Sequence, residues 1–151
     1  MKIEHYNNLL ELFYNQYKQE ISDQVFLQSL KDPNQKFTWE QTYLNILKLS
    51  DQLESLMQNH DRCLLISENR PEWMVSDLAI MLANGITVPA YTTYTEKDYE
   101  YLIDDCEPSV INISDKIQYN KVKNIKKKKP FIKSIISFEE FQNDNEIIFI
   151  K

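Results

Sequence analysis

Glycine is nearly missing from this chain: Gly85 is the only one in 151 residues, where ordinary usage of about 7% would supply roughly ten. A phosphate cradle built from backbone N–H groups needs several residues without a Cβ, and neither GxGxxG nor GxxxxGK[ST] occurs. Cysteine is also scarce. Cys63 and Cys106 stand in apolar surroundings with no CxxC spacing and no neighbouring histidine, so they read as buried free thiols rather than as a metal or redox pair. No apolar run approaches the ~20 residues of a membrane span. With a formal net charge of −6, nothing draws the chain as a whole toward nucleic acid or an anionic surface. A cytoplasmic protein without nucleic-acid partners is expected.

The chain is 42% hydrophobic and 26% charged, enough to bury one sizeable core in a single unit. Leu9, Leu12, Phe13 and Tyr17 recur at helical spacing between His5 and Glu20. Val25-Phe26-Leu27 and Lys36-Phe37-Thr38 flank Asp32-Pro33-Asn34, a turn whose proline presets φ, and together they read as a small hairpin. Thr38-Trp39-Glu40-Gln41 has capping-box spacing and should open a long helix. The buried stripe of that helix would be Ile46, Leu49, Leu53 and Leu56, and its end should fall near Asn59.

Beyond Arg62 the pattern changes to strands alternating with helices. Cys63-Leu64-Leu65-Ile66 is continuously apolar, as expected of a strand covered on both faces of a parallel sheet. Pro71 suits a first helical turn, Trp73 and Leu78 continue that helix toward the core, and Asn84-Gly85 can close it through a left-handed residue. A strand over 86–91 follows, then a helix capped by Thr95 with Asp98 and stopped at Glu107-Pro108. A strand over 109–114, a short basic helix or loop over 115–128, and a strand over 131–138 complete the series. This rhythm is that of right-handed βαβ units, so the expected fold class is α/β: a doubly wound, mostly parallel sheet preceded by a helix and a small hairpin.

Few residues offer chemistry. The best neighbourhood is the hydroxyl-rich Tyr91, Thr92 and Thr93, running on to Tyr94 and Thr95, because it follows the carboxyl end of an expected parallel strand, where ligands of open α/β sheets bind. Arg70 should pair with a carboxylate. Lys126–Lys129 read as a solvated turn. His5 and His60 are isolated, and Asp104 and Asp105 point about 100° apart on a helix and do not converge on a metal. No catalytic, cofactor-binding or metal-ligating residue is assigned.

The order Ser67-Glu68-Asn69-Arg70-Pro71-Glu72-Trp73, Asp77-Leu78-Ala79-Ile80-Met81, Gly85 and Val88-Pro89-Ala90-Tyr91-Thr92-Thr93 resembles the long-chain fatty-acid:CoA ligases, members of the AMP-binding, adenylate-forming superfamily. Phe37-Thr38-Trp39, Ser114-Asp115-Lys116 and Ile135–Phe138 extend the likeness over most of the chain. The resemblance implies that residues 1–151 are the N-terminal part of an AMP-dependent synthetase/ligase domain. A complete enzyme of that family uses ATP and Mg²⁺ to convert a fatty acid to an acyl-adenylate, and CoA then displaces AMP. It also implies that the phosphate loop, the Mg²⁺ ligand, the ribose-binding aspartate and the C-terminal lysine lie downstream of the matched region. The resemblance therefore leads us to expect a fragment that is not catalytically competent alone, with Tyr91, Thr92 and Thr93 bordering the acyl or nucleotide site of the whole enzyme. The alternative it leaves is a non-enzymatic module that docks on the missing subdomains.

Overall fold

A computed structural model of the protein describes residues 6–18, 21–141 and 147–149. Helix α1 (Leu9–Tyr17) lies against a hairpin of β1 (Val25–Gln28) and β2 (Lys36–Thr38). The Asn8 side chain accepts the Glu11 N–H, satisfying one of the donors that every helix start leaves without a partner. The buried face of α1 is rotated from the expected one. Leu9 and Leu12 are exposed, whereas Phe13 is buried and Leu10 packs on the core. Aromatic stacking decides this: the Phe13 ring sits 5.6 Å from Phe26 and 5.5 Å from Trp39, and Tyr17 stacks on Tyr43 at 4.5 Å. The Tyr17 hydroxyl donates to Glu40, and that bond pushes its pKa up to about 12. His5 and residues 19–20 of the expected first helix lie outside the described residues.

The hairpin turns as expected, the Gln35 N–H reaching the Asp32 carbonyl and the Asn34 N–H the Asp32 side chain. Both arms of the expected capping box open α2 (Trp39–Leu56), with Thr38 and Gln41 exchanging side-chain-to-backbone bonds. Ile46, Leu49 and Leu53 are buried, while Leu56 is only partly so. The helix stops short of Asn59 because Met57 takes an extended backbone, φ −109° and ψ 152°, which turns its side chain into the core.

The remainder alternates: β3 (Arg62–Ile66), α3 (Pro71–Leu82), β4 (Ile86–Ala90), α4 (Glu96–Cys106), β5 (Val110–Ile113), α5 (Lys116–Lys128), β6 (Ser134–Ser137) and β7 (Ile147–Phe149). The last five strands pack in the order β4-β3-β5-β6-β7, every pairing parallel. The doubly wound α/β expectation holds. Strand β7 is an addition to the expected series, pairing with β6. The lysines expected as a solvated turn instead close α5, with Lys126–Lys128 in its last turn, where positive charge meets the negative end of the helix dipole.

Side chains alternate across the strands and divide the core in two. Cys63, Val110 and Ile136 face α2 and α3, whereas Leu64, Ile66, Ile111, Ile113 and Ile135 face α4 and α5. Complete burial raises the Cys63 thiol well above its usual range. Cys106, expected inside, is only half-buried.

Gly85 does not supply the left-handed residue after α3. Asn84 does, with φ 55°. Gly85 is required by space instead, since a Cβ there would lie 2.5 Å from Met57 Cε and 3.1 Å from both Cγ2 and the carbonyl oxygen of Ile80. Gly85→Ala should therefore lower unfolding stability by about 1–3 kcal/mol. In urea titrations that loss should shrink in a Met57→Ala background, because the two positions compete for one volume; strictly additive losses would refute the clash.

Candidate site at the carboxyl ends of the strands

The loop leaving β3 leads to α3 on one face of the sheet, while those leaving its neighbours β4 and β5 lead to α4 and α5 on the other. Loops that part in this way open a crevice at the carboxyl ends of the strands. A cavity of about 430 Å³ lies there between β3 and β4. Ser67, Glu68 and Asn69 line it from the β3 exit, Trp73 from α3, and Pro89, Ala90, Tyr91, Thr92 and Thr93 from the β4 exit. The two most distinctive sequence stretches, 67–73 and 88–93, thus meet at one opening.

Trp73, expected in the core, is half-buried and forms a wall. It also borders a second, apolar groove of about 340 Å³ with Leu27, Leu30, Pro71 and Met74. The reason is the hairpin, which draws Leu27 and the loop after it alongside the start of α3 and leaves the indole between two hollows. Arg70 pairs as expected, at 2.9 Å from Glu72 and 3.0 Å from Glu139. Burial alone would raise the Glu68 carboxyl, but a backbone N–H and the Lys31 ammonium at 3.0 Å outweigh it and hold the group below its usual range. The mouth of the cavity therefore carries one ionised carboxylate beside threonine hydroxyls, a carboxamide and an indole.

The β4 exit runs directly into α4. Thr95 caps that helix and Asp98 answers, accepting the Thr95 N–H at 2.8 Å and its hydroxyl at 2.7 Å. Behind the lip, Tyr99 donates its hydroxyl to the Tyr91 carbonyl at 2.7 Å. Lys121 donates its ammonium to the carbonyls of Thr92 at 2.7 Å and Tyr94 at 2.9 Å. No sequence signal pointed to Lys121, which lies 29 positions from Thr92 in a stretch read only as basic. His60 sits in a turn at φ 68°, with its N–H on the Asn84 carbonyl, and Asp104 is engaged by Lys129. Among the described residues no three His, Cys, Asp or Glu side chains converge as a metal site would require.

Comparison with known proteins places the chain in a family. The sequence model of AMP-binding enzymes matches residues 13–149. The chain belongs to the AMP-binding enzyme family. Over 111 residues it is 27% identical to the rat long-chain-fatty-acid–CoA ligase ACSBG1, a match covering 73% of this chain and 15% of that protein. The chain thus spans about 15% of the length of this relative and corresponds to its N-terminal region. Among solved structures, the anthranilate CoA ligase AuaEII superposes with a TM-score of 0.76 at 20% identity, over 91% of this chain and 26% of that one. ATP-bound MatB from Rhodopseudomonas palustris superposes with a TM-score of 0.70, also at 20% identity, over 85% and 25%. At such identities the likeness establishes the fold, that of the adenylate-forming CoA ligases.

The Asp98 bonds make the lip sensitive to acid. They hold its carboxyl below the ordinary value, so the folded pKa lies below the unfolded one of about 3.9. The contribution is then complete above roughly pH 4 and disappears as the pH falls through the folded value. Protection factors over 95–99, taken relative to the intrinsic exchange rate at each pH, should fall from pH 5 to pH 3 more than those in β3 do, and Asp98→Asn should remove most of that difference. An equal fall in both segments would argue against the cap as the acid-sensitive element.

Proposed function

We propose that this chain is the N-terminal segment of a long-chain fatty-acid:CoA ligase, acting in ATP-dependent activation of a fatty acid to an acyl-adenylate and then to acyl-CoA. Tyr91, Thr92 and Thr93 would border the acyl or nucleotide site of the whole enzyme. The observation that carries this reading is the cavity in which residues 67–73 meet residues 88–93, the two stretches that most resemble the family. ATP, Mg²⁺ and CoA would be the cofactors of the complete enzyme, with fatty acid as substrate and the cytoplasm as its place. Among the described residues no helix is long and apolar enough to cross a membrane.

The residues present do not fit a nucleoside triphosphate with its metal. At the cavity mouth the Glu68 carboxylate and the Lys31 ammonium are committed to each other at 3.0 Å, and the sole glycine of the chain is committed to packing against Met57 and Ile80. Among the described residues no carboxylate cluster faces the cavity. Adenylation requires preorganised cations and N–H donors around the developing phosphate charge, and the groups around this cavity do not supply them. Their own contribution is to shape one wall of a site: an indole and a proline as apolar surface, and threonine hydroxyls for orientation.

A second reading, a non-enzymatic module docking on the missing subdomains, draws support from Leu30, which is fully exposed at the rim of the second groove, and from Ile86, exposed on edge strand β4. Exposed apolar groups beside an unpaired strand edge are surface that another segment could cover. Co-expression with the downstream segment of a related ligase should recover a complex, and Leu30→Asp should weaken it; no complex in either case would sink this reading.

The enzymatic reading predicts two results. The purified 151-residue chain should release no fatty-acid-dependent pyrophosphate, and sustained release would overturn the claim that it is incomplete. In a full-length relative, alanine at the positions of Thr92 and Thr93 should raise KM for fatty acid or ATP by about tenfold, the loss of roughly 1.4 kcal/mol of binding, with unfolding temperature unchanged. Unaltered kinetics would remove these residues from the site.

A further inference from the structure

The lip of the cavity is a segment whose shape neither a strand nor a helix dictates. Between β4 and α4 the chain turns once, with the Tyr94 N–H on the Tyr91 carbonyl at 3.2 Å. What fixes it comes from α4 and α5, on the face of the sheet opposite α3. The Lys121 ammonium spans the turn, bonding the Thr92 and Tyr94 carbonyls, and the Tyr99 hydroxyl takes the Tyr91 carbonyl while lying 3.1 Å from the Gln118 carboxamide. Both hydrogen bonds of the ammonium go to backbone, and the face of the Tyr99 ring lies 5.6 Å from it. Charge-assisted bonds in a half-buried position are stronger and better defined than neutral ones at the surface. With the carbonyls of Tyr91, Thr92 and Tyr94 engaged behind the lip, Thr92 and Thr93 have their hydroxyls and N–H groups to offer a ligand in the cavity.

We propose that Lys121 is the positioning residue of this site: its ammonium on α5 sets the geometry at which Thr92 and Thr93 meet a ligand. The proposal rests on the reading that these residues border a ligand site. It assigns Lys121 no contact with the ligand. The residue acts through the backbone it holds, which separates it from the lysines at the end of α5 and explains why its partners are carbonyls rather than carboxylates. Arginine can reach the same two carbonyls with a charged donor pair, whereas methionine keeps most of the stem and loses both bonds.

The test compares Lys121→Met and Lys121→Arg with the unaltered 151-residue chain, with Lys121→Gln as the substitute if the methionine variant does not fold. Exchange of the Tyr94 and Thr95 amides, which are hydrogen-bonded in the lip, should rise about tenfold in Lys121→Met while exchange in β3 and β5 and the unfolding midpoint stay unchanged, and Lys121→Arg should restore most of the protection. Exchange in the lip within twofold of the unaltered chain, or an equal rise throughout the sheet, would overturn the proposal. Calorimetry with ATP and with palmitate as probes separates it from the reading beneath it. If the unaltered chain binds either probe, Lys121→Met should weaken that binding about tenfold and Lys121→Arg should not; equal binding by all three overturns the positioning role. If the unaltered chain binds neither probe, as a single wall of a site would, the exchange result alone decides whether Lys121 sets the lip, and the kinetics of the Thr92 and Thr93 variants in a full-length relative decide the site reading.

Discussion

Burial of β3 on both faces is the constraint on which the rest of the structure depends. Cys63, Leu64, Leu65 and Ile66 have no exposure at all, and a strand in that position must be covered by helices on two sides. The chain meets the requirement by sending α3 to one face and α4 and α5 to the other. The parting of the loops that makes the crevice follows directly. The cavity is therefore a by-product of how the central strand is covered, and the residues at its mouth are those that lead into the covering helices.

The amino-terminal layer serves the same core. Phe13, Phe26 and Trp39 form an aromatic cluster that fixes the rotation of α1 and seats the hairpin against α2. From there Lys31 reaches Glu68, and Gln35 reaches Glu72, which also holds Arg70. These polar contacts tie the hairpin to the β3 exit, so one wall of the cavity is braced from in front by the hairpin. The other wall is braced from behind by α4 and α5. The electrostatics of the mouth follow from the same contacts, since a backbone N–H and Lys31 keep Glu68 ionised and the ammonium balances its charge.

Family membership and mechanism separate clearly in this molecule. The AMP-binding family is identified by stretches that build the fold and the crevice, while the groups that handle a triphosphate need flexible backbone and convergent charge. The only glycine is consumed by the close approach of Met57 and Ile80. The described carboxylates are spread over helix caps and ion pairs instead of meeting at one point. The physical role open to these residues is to form and orient a wall.

Local patterns in the sequence determined the local structure. The two capping boxes, the Asp32-Pro33-Asn34 turn, the apolar run of β3 and the alternation of strands with helices are written in short-range chemistry, and each is found where its residues stand. The stretch around Tyr91, expected to follow the carboxyl end of a parallel strand, lines the cavity there. Tertiary structure alone decided what depends on the approach of distant segments. The choice between two nearly equal apolar faces of α1 came from aromatic partners beyond the helix. Trp73 became a cavity wall because the hairpin came to lie beside it, and Gly85 was needed for room rather than for a left-handed turn. Lys121 among eight lysines between 116 and 133 acquired its place because two carbonyls 29 and 27 positions away lie within reach of its ammonium. Spacing along a chain encodes the faces of helices and strands, but which distant groups those faces meet is decided only when the layers pack.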